Sequence, residues 1–401
     1  MGRRYGEPET WFRALRGLVA ALAAACLVSP TCLNAQWQAT VTAEGSAFQE
    51  LDSRGFAGPD PTEAVVALDA SVFLEWGGGR YVAQAAPLFR WDPSGERTRV
   101  DLRDLSVSAI GDRWELSIGM KEIFWGAAES RRLVDGVNQR DLVGGGEDYV
   151  RMGQLMVDLT AIRSWGTIDV LLLPWFRERT FDGRSGLLWS PLPVDASQAA
   201  YGPGAGTGRL DWAVRWRHTL GPVDVGFSHL QGNLREPGFV DTTNAQGQAV
   251  LAPRYDVGGQ TGLDLQAATG IWIWKLEAFT SDPRSGRYAA AAGGIEYGVG
   301  DFLALFLEYA WDSRGREATT SFADDFFVGG RLFLPDGQVR TGIFLDRRTW
   351  NTAASVAVDW RVGNSATVGL EVGAFLGDSS LEPPLGRRQQ TRISVKMSRY
   401  F

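Results

Sequence analysis

The chain has 401 residues, with 40 Lys and Arg against 47 Asp and Glu, for a net charge of −7. An acidic chain of this kind argues against nucleic acid as a partner. Two cysteines, Cys26 and Cys32, and two histidines, His218 and His229, are too few for a disulfide framework or a Cys/His metal centre.

Residues 1–35 read as a cleaved secretory signal. Arg3, Arg4, Arg13 and Arg16 form a basic start, and an apolar run from Leu18 to Val28 follows, too short to span a bilayer. Leu33, Asn34 and Ala35 make an acceptable cleavage site before Gln36. Cleavage there removes both cysteines. It also removes four of the 40 Lys and Arg and two of the 47 Asp and Glu, so the charge becomes −9.

Residues 36–401 carry no linker, low-complexity segment or charge block that would mark a domain boundary, and no apolar run long enough for a membrane helix. They alternate instead. Trp114, Leu116, Ile118 and Met120 oppose Glu115, Ser117, Gly119 and Lys121. Trp212, Val214 and Trp216 oppose Asp211, Ala213, Arg215 and Arg217. Trp272, Trp274 and Leu276 oppose Lys275 and Glu277, and Leu370 and Val372 oppose Glu371 and Gly373. A period of two is a strand with an apolar face and a small, polar or charged face.

Connections alternate between short and long. Short ones rich in Gly, Asn and Asp lie near 77–79, 111–112, 165–166, 221–222, 269–270, 298–301, 335–337 and 363–364. Such residues supply the positive φ that tight hairpins need. Long polar ones fall at 49–61, 92–96, 125–150, 177–208, 232–250, 281–286, 311–320, 346–349 and 378–388. The 16 Trp tend to lie near segment ends, as in the aromatic girdles of membrane barrels. The fold class expected is all-β: a transmembrane antiparallel β-barrel of about 18 strands, with short turns on one side and long loops on the other. Val100 to Ala109 changes phase midway, as a β-bulge would make it.

The last segment, TRISVKMSRYF, puts Ile393, Val395, Met397 and Phe401 on one face and ends on a bare aromatic terminus. It resembles the closing strand of bacterial outer-membrane barrels, whose terminal Phe is a signal to the barrel-assembly machinery. That resemblance implies an outer-membrane location, with membrane lipid and lipopolysaccharide as surroundings. Arg399 departs from the apolar face, close enough to the boundary to snorkel to water.

The loop between the fifth and sixth segments, 125–150, is charge-dense. Arg131, Arg132 and Arg140 stand beside Glu129, Asp135, Asp141, Glu147 and Asp148. Its position is where trimeric porins fold a loop inward. A charged constriction and a solvated surface loop fit its composition equally. Strand phase turns Lys121, Arg215, Arg217, Lys275, Glu277, Glu308 and Glu371 toward the lumen, either as a solute path or as ion pairs that stiffen it.

Phe124-Trp125-Gly126 followed by Asp135, Asn138 and Asp141 is similar to the WG…D…NPxD pattern of an uncharacterised family of porin-like outer-membrane proteins. The stretches LFLEYAWDSRG and DDFFVGGRLFL look similar too. Gln139 stands where the family has Pro. The resemblance implies an inward loop fixed by Asp135, Asn138 and Asp141 through hydrogen bonds to backbone, with arginines facing the lumen. It also implies traffic of lipids or other hydrophobic molecules beside an inner-membrane exporter of the resistance-nodulation-division type.

The reading is therefore a porin-like channel, not an enzyme, with no cofactor and no metal. The alternatives are a lipid-acting barrel enzyme, motivated by Ser228-His229 near a strand end, and a structural barrel. Adjacent strand residues point to opposite faces, so Ser228 and His229 cannot meet directly.

Overall fold

The structure is a computed structural model that describes residues 34–50, 62–93, 98–130, 132–143, 150–181, 188–189, 192–318, 323–378, 386–387 and 390–401. Residues 1–35, where the sequence reading expects a signal, lie outside the described residues except for Asn34 and Ala35, which open the first strand. Eighteen strands form one closed antiparallel sheet. In chain order they are β1 (Asn34–Glu50), β2 (Thr62–Trp76), β3 (Tyr81–Trp91), β4 (Arg99–Gly111), β5 (Trp114–Lys121) and β6 (Gln154–Arg163). Then come β7 (Gly166–Leu173), β8 (Asp211–Leu220), β9 (Val223–Asn233), β10 (Val257–Thr269), β11 (Trp272–Ser281) and β12 (Tyr288–Val299). The last six are β13 (Leu303–Asp312), β14 (Asp324–Leu334), β15 (Gly337–Asp346), β16 (Thr352–Val362), β17 (Ala366–Leu376) and β18 (Gln390–Tyr400). Each pairs with its sequence neighbours, and β1 closes on β18 with Thr40 opposite Tyr400.

Closure leaves this eighteen-stranded sheet, as described, without an unpaired edge strand. Ser46 and Ser394 share a 2.8 Å hydroxyl contact across the seam, and Thr42 and Ser398 one of 3.0 Å. The Phe401 N–H donates to the Ala39 carbonyl at 2.9 Å, so the terminal residue is tied into the sheet.

The sheet is turned inside out relative to a soluble sandwich. Ile393, Val395 and Met397 are each about half exposed, while Ser394 and Ser398 between them are buried. Trp212, Phe227, Leu276, Leu307, Val328 and Leu370 are likewise exposed on the outer face. Arg399 lies on that face beside the rim, its guanidinium 5.8 Å from the Phe401 ring. Among the described residues no helix is long and apolar enough to cross a membrane.

The two rims differ as the connection pattern predicts. On one, two to four residues join successive strands; at Gly77, Gly78 and Gly79, φ values of 66°, 69° and 84° let the chain reverse between β2 and β3. On the other, the connections include residues 122–153, 174–210 and 234–256. The phase change in β4 is a bulge: Ala86 faces Asp104, Pro87 faces Leu102, and Arg103 is the extra residue. A proline fits such a break in the ladder. The bulge turns Arg103 inward, where it pairs with Asp69.

Candidate functional site: the loop against the inner wall

The described residues of the connection from β5 to β6, 122–130, 132–143 and 150–153, run along the inside of the barrel, and their contacts define the site. Asn138 ties the two ends of the connection together. Its Oδ1 accepts the Ile123 N–H at 3.0 Å, and its Nδ2 donates to the Lys121 and Met152 carbonyls at 2.8 Å each. The tip rests on two carboxylates from β11 and β13. Glu277 on β11, fully buried, accepts the N–H groups of Ala127 and Ala128 at 2.6 and 2.7 Å through one oxygen and that of Val134 at 3.1 Å through the other. Glu308 on β13 accepts the N–H groups of Glu129 and Ser130, each at 2.8 Å, and the Ser130 hydroxyl.

Gly126 makes this approach possible. Its φ is 105°, and a Cβ there would run into the Glu277 carboxylate. Beneath the loop, Trp125, Val134 and Val137 pack on Met156, Leu171, Leu173, Ala213 and Leu230, all inward-facing apolar residues of β6 to β9. This half of the lumen is thus a packed core, and burial of side chains of this size supplies on the order of 1.5–3 kcal/mol each.

A buried ionic layer joins the loop to the connections behind it. Asp135 pairs with Arg151 at 2.7 Å. Burial pushes the Asp135 carboxyl up against the pull of Arg151, and burial together with the nearby Arg140 brings Arg151 down to about 10. Arg235 donates to the Val137 carbonyl at 3.0 Å and pairs with Asp211 at 2.8 Å. Gln139 accepts from Arg179 at 3.1 Å and so holds a neighbouring connection. Asp141 pairs with Arg99 at 2.6 Å and accepts the Val143 N–H at 3.1 Å, and Arg90 donates to the Val143 carbonyl at 3.1 Å.

Between this loop and the opposite wall lies a cavity of about 800 Å³. The loop contributes Arg132, Asp135, Asn138, Arg140 and Asp141; Glu371 lies on the far wall. Arg131 lies outside the described residues. The other residues assigned to the lumen by strand phase do not line the cavity. Glu277 and Glu308 lie under the loop as its supports. Lys121 pairs with Asp158 at 2.8 Å, and Arg215 with Asp264 at 2.8 Å below the Trp125 ring. Lys275 pairs with Glu296 at 2.9 Å, and Arg217 lies 3.9 Å from Asp169 near the short-turn rim.

Sequence reasoning missed the charges of the open wall. Arg90, Arg103, Arg340, Arg392, Lys396, Glu44, Asp69 and Asp359 all line the cavity. Arg392 pairs with Glu44 at 2.6 Å across the seam, and Arg340 lies 3.4 Å from Asp359. Their strand parity was the available signal. Among the described lining residues Lys and Arg number twelve and Asp and Glu nine, in a chain whose overall charge is −7.

Ser228 is buried on the inner face. His229, next to it, shares a 2.9 Å contact with the Thr261 hydroxyl and lies against Trp212 on the outer face. The pair behind the hydrolase alternative is therefore split across the sheet. Among the described residues no group of three His, Cys, Asp or Glu is placed to hold a metal ion.

No protein-family model matches the chain, and no curated protein matches it in sequence. Among solved structures, OccK8 (OprE) of Pseudomonas aeruginosa is similar with a TM-score of 0.56 at 11% identity, covering 92% of this chain and 98% of that one. A mutant porin of Rh. blastica gives 0.46 at 11% identity over 92% of this chain and all of that one. The first of these likenesses shows the shared fold, a closed antiparallel β-barrel of the porin type.

Proposed function

We propose that this chain is a bacterial outer-membrane channel that passes solutes through a lumen narrowed by residues 125–150. The observation that carries the reading is the loop's fixation on Glu277 and Glu308, which leaves one cavity between it and the opposite wall. A charge-dense loop in hydrocarbon would cost several kcal/mol for each unsatisfied group, whereas a wet lumen accommodates it. The apolar outer face and the closed edge support the membrane setting. On this reading the long loops face outward and the short turns face the periplasm.

The charge balance of the cavity favours anions. Arg132 and Arg140 on the loop face a wall that includes Arg340, Arg392 and Lys396. Phe306, Phe327 and Phe344, which also line the cavity, support the hydrophobic cargo that the family resemblance implies.

Membrane fractionation with heat-modifiable gel mobility tests the location; recovery as a soluble periplasmic protein refutes it. Planar-bilayer recordings test the loop. Arg132→Gln with Arg140→Gln lowers the anion-to-cation permeability ratio. Lysines introduced into residues 281–286 at the outer rim leave it nearly unchanged. If the double change alters neither conductance nor ion preference, residues 125–150 do not form the constriction.

A further inference from the structure

The inward face of β14 and β15 repeats itself. Descending from the long-loop rim, β14 presents Asp325, Phe327, Gly329 and Arg331; β15 presents Asp346, Phe344, Gly342 and Arg340. The register sets like beside like: Asp325 opposite Asp346, Phe327 opposite Phe344, Gly329 opposite Gly342, and Arg331 opposite Arg340. Like charges directly opposite on neighbouring strands destabilise a sheet. Two such rungs on one strand pair break a local rule, and breaches of this kind concentrate at functional sites.

The rungs between them form a shelf. The Phe327 and Phe344 rings stand 4.6 Å apart. A Cβ at Gly329 or Gly342 would come within 2.7 or 2.8 Å of the Phe327 ring, so that ring lies against both glycines. Phe306 on β13 borders the glycine floor opposite Gly329, and Ser355 on β16 borders it opposite Gly342. Phe306, Phe327, Phe344, Arg331 and Arg340 all line the cavity. The Arg331 side chain is a third exposed and pairs with Glu129 of the loop at 2.5 Å; that of Arg340 is more exposed and lies 3.4 Å from Asp359.

We propose that this shelf is a binding subsite for small amphiphilic anions. The apolar body lies on Phe306, Phe327 and Phe344, and the carboxylate or phosphate is held between Arg331 and Arg340. Two arginines on one rung offer the paired donors that such groups take, and a bound anion offsets the repulsion between them. It competes with Glu129 for Arg331, which couples occupancy to the loop tip. The inference names a solute class for the proposed channel and rests on that reading only for its role in transport; binding is measurable without it.

The test is equilibrium binding to the purified full-length barrel in detergent, followed by current block in bilayers. The probes are phenylacetate, phenyl phosphate, acetate, inorganic phosphate and benzyl alcohol. Phenylacetate or phenyl phosphate binds at least tenfold more tightly than the matching small anion and than benzyl alcohol. Which of the two binds better decides between carboxylate and phosphate. Arg331→Gln with Arg340→Gln abolishes that advantage over benzyl alcohol. Phe327→Leu with Phe344→Leu keeps both positions apolar but removes the rings, and it reduces the advantage over acetate at least threefold. Heat-modifiable mobility identifies the variants that fold. Equal binding of phenylacetate and acetate, together with equal binding of phenyl phosphate and phosphate, overturns the proposal. So does wild-type binding by both folded double variants. Tight binding without any conductance sinks the channel reading and leaves the subsite standing.

Discussion

Glu277→Ala isolates the clamp from the barrel. The carboxylate is fully buried and accepts three loop N–H groups, from Ala127, Ala128 and Val134. A hydrogen bond to a charged group contributes roughly 1.5–3 kcal/mol, so the loop loses on the order of 5 kcal/mol of attachment. Glu308 still holds Glu129 and Ser130, so the tip is loosened rather than released. Glu277→Gln keeps one acceptor oxygen, enough for the Ala127 and Ala128 N–H groups, and loses only about a third to a half of that sum. The eighteen-stranded ladder does not depend on the contact, so heat-modifiable mobility is retained in both variants. Single-channel recordings show larger mean conductance and more current noise for Ala, with Gln between Ala and wild type. A folded Glu277→Ala barrel with wild-type conductance and noise refutes the idea that this carboxylate positions the loop.

Gly126→Ala reproduces part of the same phenotype from the loop side, since a side chain at φ 105° is strained and meets the Glu277 carboxylate; crossing it with Glu277→Ala gives less than the sum of the two conductance changes. Asp135→Asn leaves the Arg151 guanidinium, whose side chain is 7% exposed, without its anion. Breaking such a pair costs about 3–5 kcal/mol, and trypsin cleavage within the loop in detergent becomes faster than in wild type. Deleting Phe401 removes the backbone bonds to Ala39 and the terminal aromatic residue; pulse-chase labelling shows slower conversion to the heat-modifiable form, and wild-type kinetics would remove the terminal Phe as an assembly signal.

How far the sequence could be read depended on the range of the interactions involved. Strand existence and turn placement are local: Ile393, Val395 and Met397 alternate with Ser394, Lys396 and Ser398 whatever lies opposite. The β4 bulge was legible for the same reason, as a change of phase between Val100 and Ala109. Parity also assigned Glu277, Glu308, Lys121 and Arg215 to the inner face, but it could not say whether an inner face is wet. That depends on which loop covers it. The tertiary fold lays Trp125, Val134 and Val137 against β6 to β9, so Glu277 becomes a buried clamp while Glu371 remains on the cavity.

The sequence by itself determined a closed-barrel pattern, its short and long rims and a charge-dense connection after β5, because alternation and turn chemistry are encoded over a few residues. Only the tertiary structure decided which charges meet. Arg392 and Glu44 are joined by barrel closure, Arg331 and Arg340 by strand register, and Arg331 and Glu129 by the inward loop. Those pairs are far apart along the chain or belong to different strands. Their approach follows from barrel closure and from the strand register, which a slip of one residue would reverse face for face.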